Sequence, residues 1–280
     1  PEAFLLAEIY NPAEYRNYIQ LGKMDYLYDK VGFYDTLKAL MQGTGSADAL
    51  IAVQGTLCDI ETHMLHFLEN HDEQRIASPE FAGSAEKGRP AMVVSTLISR
   101  SPTLVYFAQE VGEPGADDAG FGRVSRTTIF DYWGVSHHQR WMNNGQFDGA
   151  ELSEQEKSLR DFYQRLLNFS IEHPALQGGY REIQTYNRMH TKGYDHRLLS
   201  FVRWQGNKRL IVLSNFAEDK TYSVNLALPA EVIQDWQLDA GEYNLVDQLY
   251  GEQQLLRVVN GEGRINLTLP PLAAYVFEVL

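Results

Sequence analysis

The sequence is poor in cysteine, in basic charge and in long apolar runs, and each shortage excludes something. Cys58 is the single cysteine among 280 residues. No intramolecular disulfide can form, and the redox compartment stays open. No apolar run approaches the ~20 residues that a membrane-spanning helix needs, so no membrane partner is expected. The 24 basic residues are outnumbered by 37 acidic ones, a net charge of −13. That balance repels phosphate backbones, and nucleic acid is not an expected partner. Internal repeats and low-complexity linkers are also absent. The first residues, Pro-Glu-Ala-Phe-Leu-Leu-Ala-Glu, carry no initiator methionine, basic leader or cleavage signal. They read as the interior of a strand, and the chain is expected to begin within a longer protein, with cytoplasmic and secreted or periplasmic locations both open. What is present is a composition that is 44% hydrophobic and 12% aromatic, enough to bury a sizeable core in two domains or one large one.

The first 170 or so residues alternate short apolar runs with helical patterns, as a parallel sheet with crossover helices does. Strands are expected at Phe4–Ala7, Met24–Tyr28, Met64–Leu68 and Thr103–Phe107. Helices are expected from Ala13 to about Leu21, from Gly32 to Leu40, from Asp48 to about Gly55 and from Pro90 to Ser99, where proline suits the first turn. After Gly112 comes a long loop rich in Gly and Asp that carries Phe121, Phe130, Tyr132, Trp133, Trp141 and Phe147. It is too aromatic for disorder. Ser153 and Glu156 form an S-x-x-E capping box ahead of the stripe Leu159, Phe162, Tyr163, Leu166, Leu167, a helix that ends before Pro174. From Tyr180 the period becomes two. Seven short strands are expected between Leu198 and Leu280, separated by turns such as Gln205-Gly206-Asn207 and Asn260-Gly261, an antiparallel sandwich. The boundary falls near residues 172 to 180.

In parallel barrels reactive groups sit at the C-terminal ends of strands, where the loops converge. Here those positions hold Glu8, the run Glu69-Asn70-His71-Asp72, and Gln109-Glu110. Two carboxylates facing one cleft can act as general acid and electrostatic stabiliser for a glycosidic bond, whose cleavage passes through an oxocarbenium-like state. The plainer reading of each acid taken singly is a strand-end residue bonding a helix N-terminus or a loop amide.

The ordered runs Phe4-Leu5-Leu6-Ala7-Glu8-Ile9-Tyr10-Asn11, Phe67-Leu68-Glu69-Asn70-His71-Asp72 and Thr103-Leu104-Val105-Tyr106-Phe107-Ala108-Gln109-Glu110 resemble signatures of the α-amylase family, glycoside hydrolase family 13. The helix Leu159–Ile171, His173-Pro174-Ala175-Leu176, Ile211–Phe216 and Leu267–Leu272 are similar to the family's C-terminal domain, so the resemblance covers nearly the whole chain. It implies an α/β plus all-β chain. Residues 1–175 are expected as the C-terminal half of a (β/α)8 TIM barrel, strands five to eight, and residues 176–280 as the antiparallel β-sandwich called domain C. It implies an α-glucan substrate, with Glu8 as general acid/base and Asp72 as stabiliser of the distorted sugar in the transition state. His71 would hydrogen-bond the sugar, and Tyr10 and Asn11 would line the leaving-group side.

The family's nucleophilic aspartate lies in a Gly-x-Arg-x-Asp segment after the fourth barrel strand, and no such segment occurs in these residues. No covalent intermediate and no appreciable turnover are expected from the 280 residues alone. No metal and no cofactor are expected either, since the family's calcium ligands lie largely in the other half. A transglycosylase using the same residues, or an inactive relative serving as a binding or assembly module, is an alternative. Four barrel strands alone leave open edges, so the missing half-barrel or self-association is an expected partner. The remaining residues read more plainly. His137-His138 is expected in a solvated loop, His63 and His66 in structural or surface roles, Asp25 and Asp29 in the framework, and Cys58 as a small buried residue. The loop aromatics Phe130, Tyr132, Trp133 and Trp141 suit a sugar platform and a loop core equally.

Overall fold

A computed structural model describes residues 3–116, 120–127 and 135–280. Phe130, Tyr132 and Trp133 lie outside them. The short apolar runs of the first half become four parallel strands: β1 (Leu6–Ala7), β2 (Tyr26–Tyr28), β3 (Met64–Phe67) and β4 (Thr103–Leu104), paired in that order. Leu6 lies opposite Tyr26, Leu27 opposite Met64, and His66 opposite Thr103. Among the described residues β1 and β4 each lack an outer neighbour. Helices α1 (Tyr15–Gln20), α2 (Asp35–Met41), α3 (Ala47–Thr56) and α4 (Arg89–Leu97) return the chain between strands, as parallel pairing requires.

Local chemistry moves several boundaries from their expected places. The helix expected from Gly32 starts only at Asp35, because Gly32 adopts φ +120° and a Cβ there would approach Val53 Cγ1 at 3.1 Å. Strand β4 stops at Leu104 and does not reach Phe107. There the Gln109 side chain accepts Tyr106 N–H at 3.0 Å and Ala108 takes φ +64°, which turns the chain. Cys58 is exposed, not buried. It lies in the turn after α3, where Leu57 and Ile60 take the inward positions. Part of the expected loop is a helix, α5 (Ser136–Met142). His137 and His138 therefore sit in that helix and not in a solvated loop: His137 Nδ1 lies 3.0 Å from Val111 O, and His138 packs on Phe107 and Trp141. Trp141 joins a small core of Ala108, Val111, Val135 and Leu152.

Helix α6 (Glu154–Glu172) carries its expected stripe, with Leu159, Phe162, Tyr163 and Leu166 buried. Beyond it the pairing becomes antiparallel. Strands β5 (Gly179–Glu182), β6 (Leu198–Gln205), β7 (Lys208–Asn215), β8 (Tyr222–Leu228), β9 (Gly241–Asp247), β10 (Gln253–Val259), β11 (Glu262–Leu269) and β12 (Ala274–Val279) form one sheet in the order β5-β6-β7-β12-β9-β10-β11-β8. Gly206-Asn207 and Asn260-Gly261 make two-residue hairpin turns, with Gly206, Asn260 and Gly261 all at positive φ. One buried cluster draws on both ends of this sheet, Val202 and Ile211 on one side and Val224 and Leu226 on the other, so it folds over itself as a sandwich. Two short helices, α7 (Gln184–His190) and α8 (Ala230–Asp235), and strand β5 were not anticipated. Helix α7 helps close the fold: Asn187 Oδ1 accepts Ala227 N–H at 2.8 Å and its Nδ2 donates to Ala227 O at 2.9 Å.

The two sheets share a core. Helix α4 is buried along its length between β3, α6 and strands β7 and β12. Phe67, Leu97 and Phe162 belong to the same cluster as Phe201, Val212 and Val276.

The capping box of α6 is present in both directions: Ser153 Oγ accepts Glu156 N–H at 3.3 Å and Glu156 Oε2 accepts Ser153 N–H at 2.7 Å. Burial alone would raise the Glu156 carboxyl, but the Arg140 guanidinium and the Ser153 amide outweigh it and hold it below the usual carboxylate value. A depressed folded-state value contributes stability above the unfolded value, ~4.3, which disappears as pH falls through the folded one. Glu156→Gln should therefore lower the urea midpoint at neutral pH, by the equivalent of about 1 kcal/mol. The gap between variant and parent should close as the buffer is taken below about pH 4.

Candidate active site

Parallel pairing puts the C-terminal ends of β1 and β3 on one rim, and each end opens into an acidic loop. Glu8 follows β1 directly. His71 and Asp72 lie in the loop after β3. His71 Nε2 is 3.6 Å from Glu8 Oε2 and 3.5 Å from Asp72 Oδ2. One ligating atom from each of the three lies within 4.8 Å of the others. All three face solvent, with side-chain exposures of 28% for Glu8, 41% for His71 and 55% for Asp72. The spacing lets the three share one cation or donate to and accept from the hydroxyls of one polyol.

The expected residues around this cluster separate into two groups. Tyr10 joins it, since its hydroxyl donates to Glu8 Oε1. Partial burial, then the Glu8 carboxylate, push the Tyr10 hydroxyl above its ordinary value, so it remains a donor through the physiological range. Asn11 does not join it: its Oδ1 accepts Ala13 N–H at 3.2 Å and caps the short helical turn at Pro12–Glu14. Gln109 is buried and donates to the Tyr163 hydroxyl at 3.0 Å, a framework contact. His66 is buried too, stacked on Phe33 at 3.9 Å and directed at Ser95 O and Asp29.

The loop after β3 is built from its own side chains. Asn70 is buried, and its Oδ1 accepts the amides of Asp72 and Glu73 at 2.9 and 2.7 Å, a tight turn that sets both acids on the rim. Glu69 points the other way, into the protein. Its Oε2 takes Arg75 Nη1 at 2.7 Å and its Oε1 takes Ile76 N–H at 2.6 Å. Arg75 is fully buried, and Nη1 also donates to Phe107 O at 2.7 Å, in the turn after β4. Nη2 reaches Thr127 Oγ1 at 3.2 Å, and the guanidinium covers the Tyr106 ring at 4.7 Å. Burial pushes the Glu69 carboxyl up against the opposing pull of Arg75 and the Ile76 amide. Arg126 completes the loop by donating to Asp72 O at 3.2 Å. Arg75, Asn70 and Arg126 carry no local pattern that distinguishes them from surface residues of the same type. Only the partners brought by β3, β4 and the following loop reveal their roles.

Comparisons with known proteins agree with this architecture. Residues 189–279 match the family described as "Alpha amylase, C-terminal all-beta domain". No curated protein matches the chain by sequence. Among solved structures, AmyP in complex with maltose superposes with a TM-score of 0.66 at 19% identity, covering 98% of this chain and 55% of that one. The α-amylase of H. orenii gives 0.64 at 18%, covering 99% and 54%. A noncanonic maltogenic α-amylase, AmyB, from Thermotoga neapolitana gives 0.63 at 17%, covering 99% and 55%. The chain thus spans about half the length of these structures and shares their fold throughout: a parallel part-barrel followed by the all-β domain.

Removing one member of a buried ion pair leaves the other charge uncompensated, a loss of about 3–5 kcal/mol. Arg75→Met should cost that much in urea unfolding, and adding Glu69→Gln to it should recover a large part. A single variant within about 1 kcal/mol of the parent would mean the pair does not hold the loop.

Proposed function

With the fold of α-amylases and an α-amylase C-terminal domain at residues 189–279 as premises, we propose that the chain supplies the acid/base half of a retaining α-glucan hydrolase site. Residues 1–175 are then strands five to eight of the catalytic barrel with their helices, and residues 176–280 are domain C. The observation that carries the reading is the convergence of Glu8, His71 and Asp72 from two strand ends onto one open rim.

In this reading Glu8 protonates the departing glycosidic oxygen and later takes the proton from the attacking water. Tyr10 holds one Glu8 oxygen by donation, which leaves Oε2 facing His71 and the substrate side. Asp72 accepts hydrogen bonds from sugar hydroxyls and offsets the positive charge that develops on the ring. His71, between the two acids, adds a further polar contact to the same sugar. Asn11 Oδ1 is taken by the adjoining turn, so the leaving-group contact expected of Asn11 would fall to its Nδ2.

A retaining mechanism also needs an attacking carboxylate about 5–5.5 Å from the acid. No third strand-end carboxylate joins the cluster among the described residues. We assign it to a further strand pairing with the free edge of β1, where Phe4 and Leu5 are exposed. The maltose and maltotriose complexes of AmyP support an α-glucan as the ligand class.

The complete protein should shorten maltooligosaccharides, and Glu8→Gln in it should slow that by about 10²–10⁴-fold. An unchanged rate would remove Glu8 from the acid role, and accumulation of products longer than the substrate would identify a transglycosylase. The 280-residue chain alone should show no turnover and should elute as a dimer or larger species in size-exclusion chromatography. A soluble monomer would show that its sheet edges need no partner.

A further inference from the structure

A cavity of about 370 Å³ lies where the parallel and antiparallel parts of the chain meet, between helix α3 and strands β5 and β6. Glu61 and Arg100, which line it, precede β3 and β4, so it opens at the N-terminal ends of the parallel strands, opposite the acidic loops. Junctions between domains commonly hold small-ligand sites of this size, with apolar walls and a few polar groups that fix orientation. Here Ile51, Ile98, Cys58 and Tyr180 supply the apolar wall.

The charged groups in the wall are satisfied by one another and by the main chain. Two carboxylates, Glu61 and Glu182, are matched by two guanidinium groups, Arg100 and Arg203. Glu61 pairs with Arg100 at 3.0 Å, and Glu182 accepts Thr185 N–H at 2.8 Å. Arg203 donates to Leu97 O, Ile98 O and Leu176 O, and the Glu61 carboxylate supports its charge. No ionic ligand is called for. Gln54 of α3 differs from these groups. It is nine-tenths buried, lines the cavity, and its side-chain amide takes part in no hydrogen bond among the described residues. Arg203 Nε–H and the Tyr180 hydroxyl are sealed off, whereas the Gln54 amide is not. The cavity is therefore the route by which that amide is reached. A donor and an acceptor held beside apolar walls carry a desolvation cost that one ligand with the matching pair would remove.

We propose that this cavity binds a small uncharged molecule with an apolar body and one carboxamide group, which exchanges two hydrogen bonds with the Gln54 amide while the body rests on Ile51 and Ile98. A carboxamide carries both an acceptor and N–H donors, so it satisfies both ends of the Gln54 side chain at once. A carboxylate would lack the donor and add a third anion beside Glu61 and Glu182. A sugar would press several hydroxyls against apolar walls that offer them few partners. The site is independent of the hydrolase reading, because it uses none of the residues on the acidic rim.

Cys58 lines the cavity, is exposed and is the single thiol of the chain, so its reactivity reports occupancy. Benzamide should slow the reaction of the full chain with dithiodipyridine saturably and at least about threefold, and benzoate or maltotriose at equal concentration should not. Loss of the two neutral hydrogen bonds corresponds to roughly a tenfold change in affinity. Gln54→Leu, which keeps the apolar wall, should raise the benzamide concentration for half-protection by about that factor. Ile51→Trp, which fills the cavity and leaves the amide in place, should abolish protection if the variant folds, and the leucine variant decides if it does not. No slowing by benzamide, equal slowing by benzoate, or an unchanged half-protection concentration in Gln54→Leu would overturn the proposal.

Discussion

The acidic rim depends on one buried ion pair. Moving a carboxylate and a guanidinium out of water costs several kcal/mol per ion, which only close geometry and further hydrogen bonds offset. Glu69 and Arg75 meet both conditions. Their 2.7 Å contact is supplemented by the Ile76 amide on one side and by Phe107 O, Thr127 and the Tyr106 ring on the other. The pair therefore ties the loop after β3 to the turn after β4 and to the segment that follows it. Between these anchors the chain has only Asn70 to His71 and Asp72 to Gln74 in which to turn, and Asn70 closes that turn with two amide hydrogen bonds. The exposed residues His71 and Asp72 are positioned by neighbours that are themselves buried. The loop spends its first acid on structure and presents the next ones to solvent.

A second constraint is the smallness of the parallel sheet. Strands β1 and β4 are two residues long, too short to hold their register by ladder bonds alone. Ala7 of β1 packs on a small cluster of Tyr15, Leu27, Leu57, Ile60 and Met64, and Leu104 of β4 packs on the larger cluster in which α4 joins β3, α6 and the all-β sheet. The carbonyls at the end of α4 are bonded by Arg203 from β6, and Ala47 N–H at the start of α3 by His196 O. Asp48 in α3 meets Gln184 and Arg188 of α7. The antiparallel domain thus acts as the packing partner for the helices that cross over the short strands, and the two sheets stabilise each other through one apolar cluster.

The legible parts of the sequence were those in which local chemistry and tertiary packing agree. Period-two alternation, hairpin turns at Gly206-Asn207 and Asn260-Gly261, and the Ser153–Glu156 capping box each depend on residues within a few positions of one another, and each appears where expected. The features that moved did so for mixed reasons, and β4 stops short for a local one, the Gln109 side chain that accepts Tyr106 N–H. Gly32 takes φ +120° beside Val53, whose Cγ1 an added Cβ would meet at 3.1 Å, and Cys58 faces outward where Leu57 and Ile60 take the inward positions. At the site, Glu8, His71 and Asp72 were visible as strand-end residues, and Tyr10 as a neighbour two positions on. Glu69 stood in the same run as His71 and Asp72, yet it faces inward. Its direction is set by Arg75, six residues along, and by Phe107 and Thr127, far away in the chain. No periodicity encodes that.

The geometry of parallel strands also bears on where the attacking carboxylate of the proposed reaction stands. Neighbouring strands lie about 4.8 Å apart, so acids at the ends of two adjacent strands fall close to the 5–5.5 Å that a retaining pair requires. Strand β1, which ends at Glu8, has two sides. On the side of β2 the strand-end acid is Asp29, and it is buried, with Oδ1 directed at Phe33 N–H and Oδ2 toward His66. A carboxylate engaged in the core in this way cannot approach an anomeric carbon on the rim. Among the described residues the other side of β1 has no paired strand, and Phe4 and Leu5 just before β1 are exposed. A strand added there would cover those apolar side chains, satisfy the edge amides and bring its own terminal residue beside Glu8. It would also exclude water from a cluster that is open to solvent, which strengthens every charge interaction within it. Closure of the sheet and completion of the proposed chemistry are thus the same structural event.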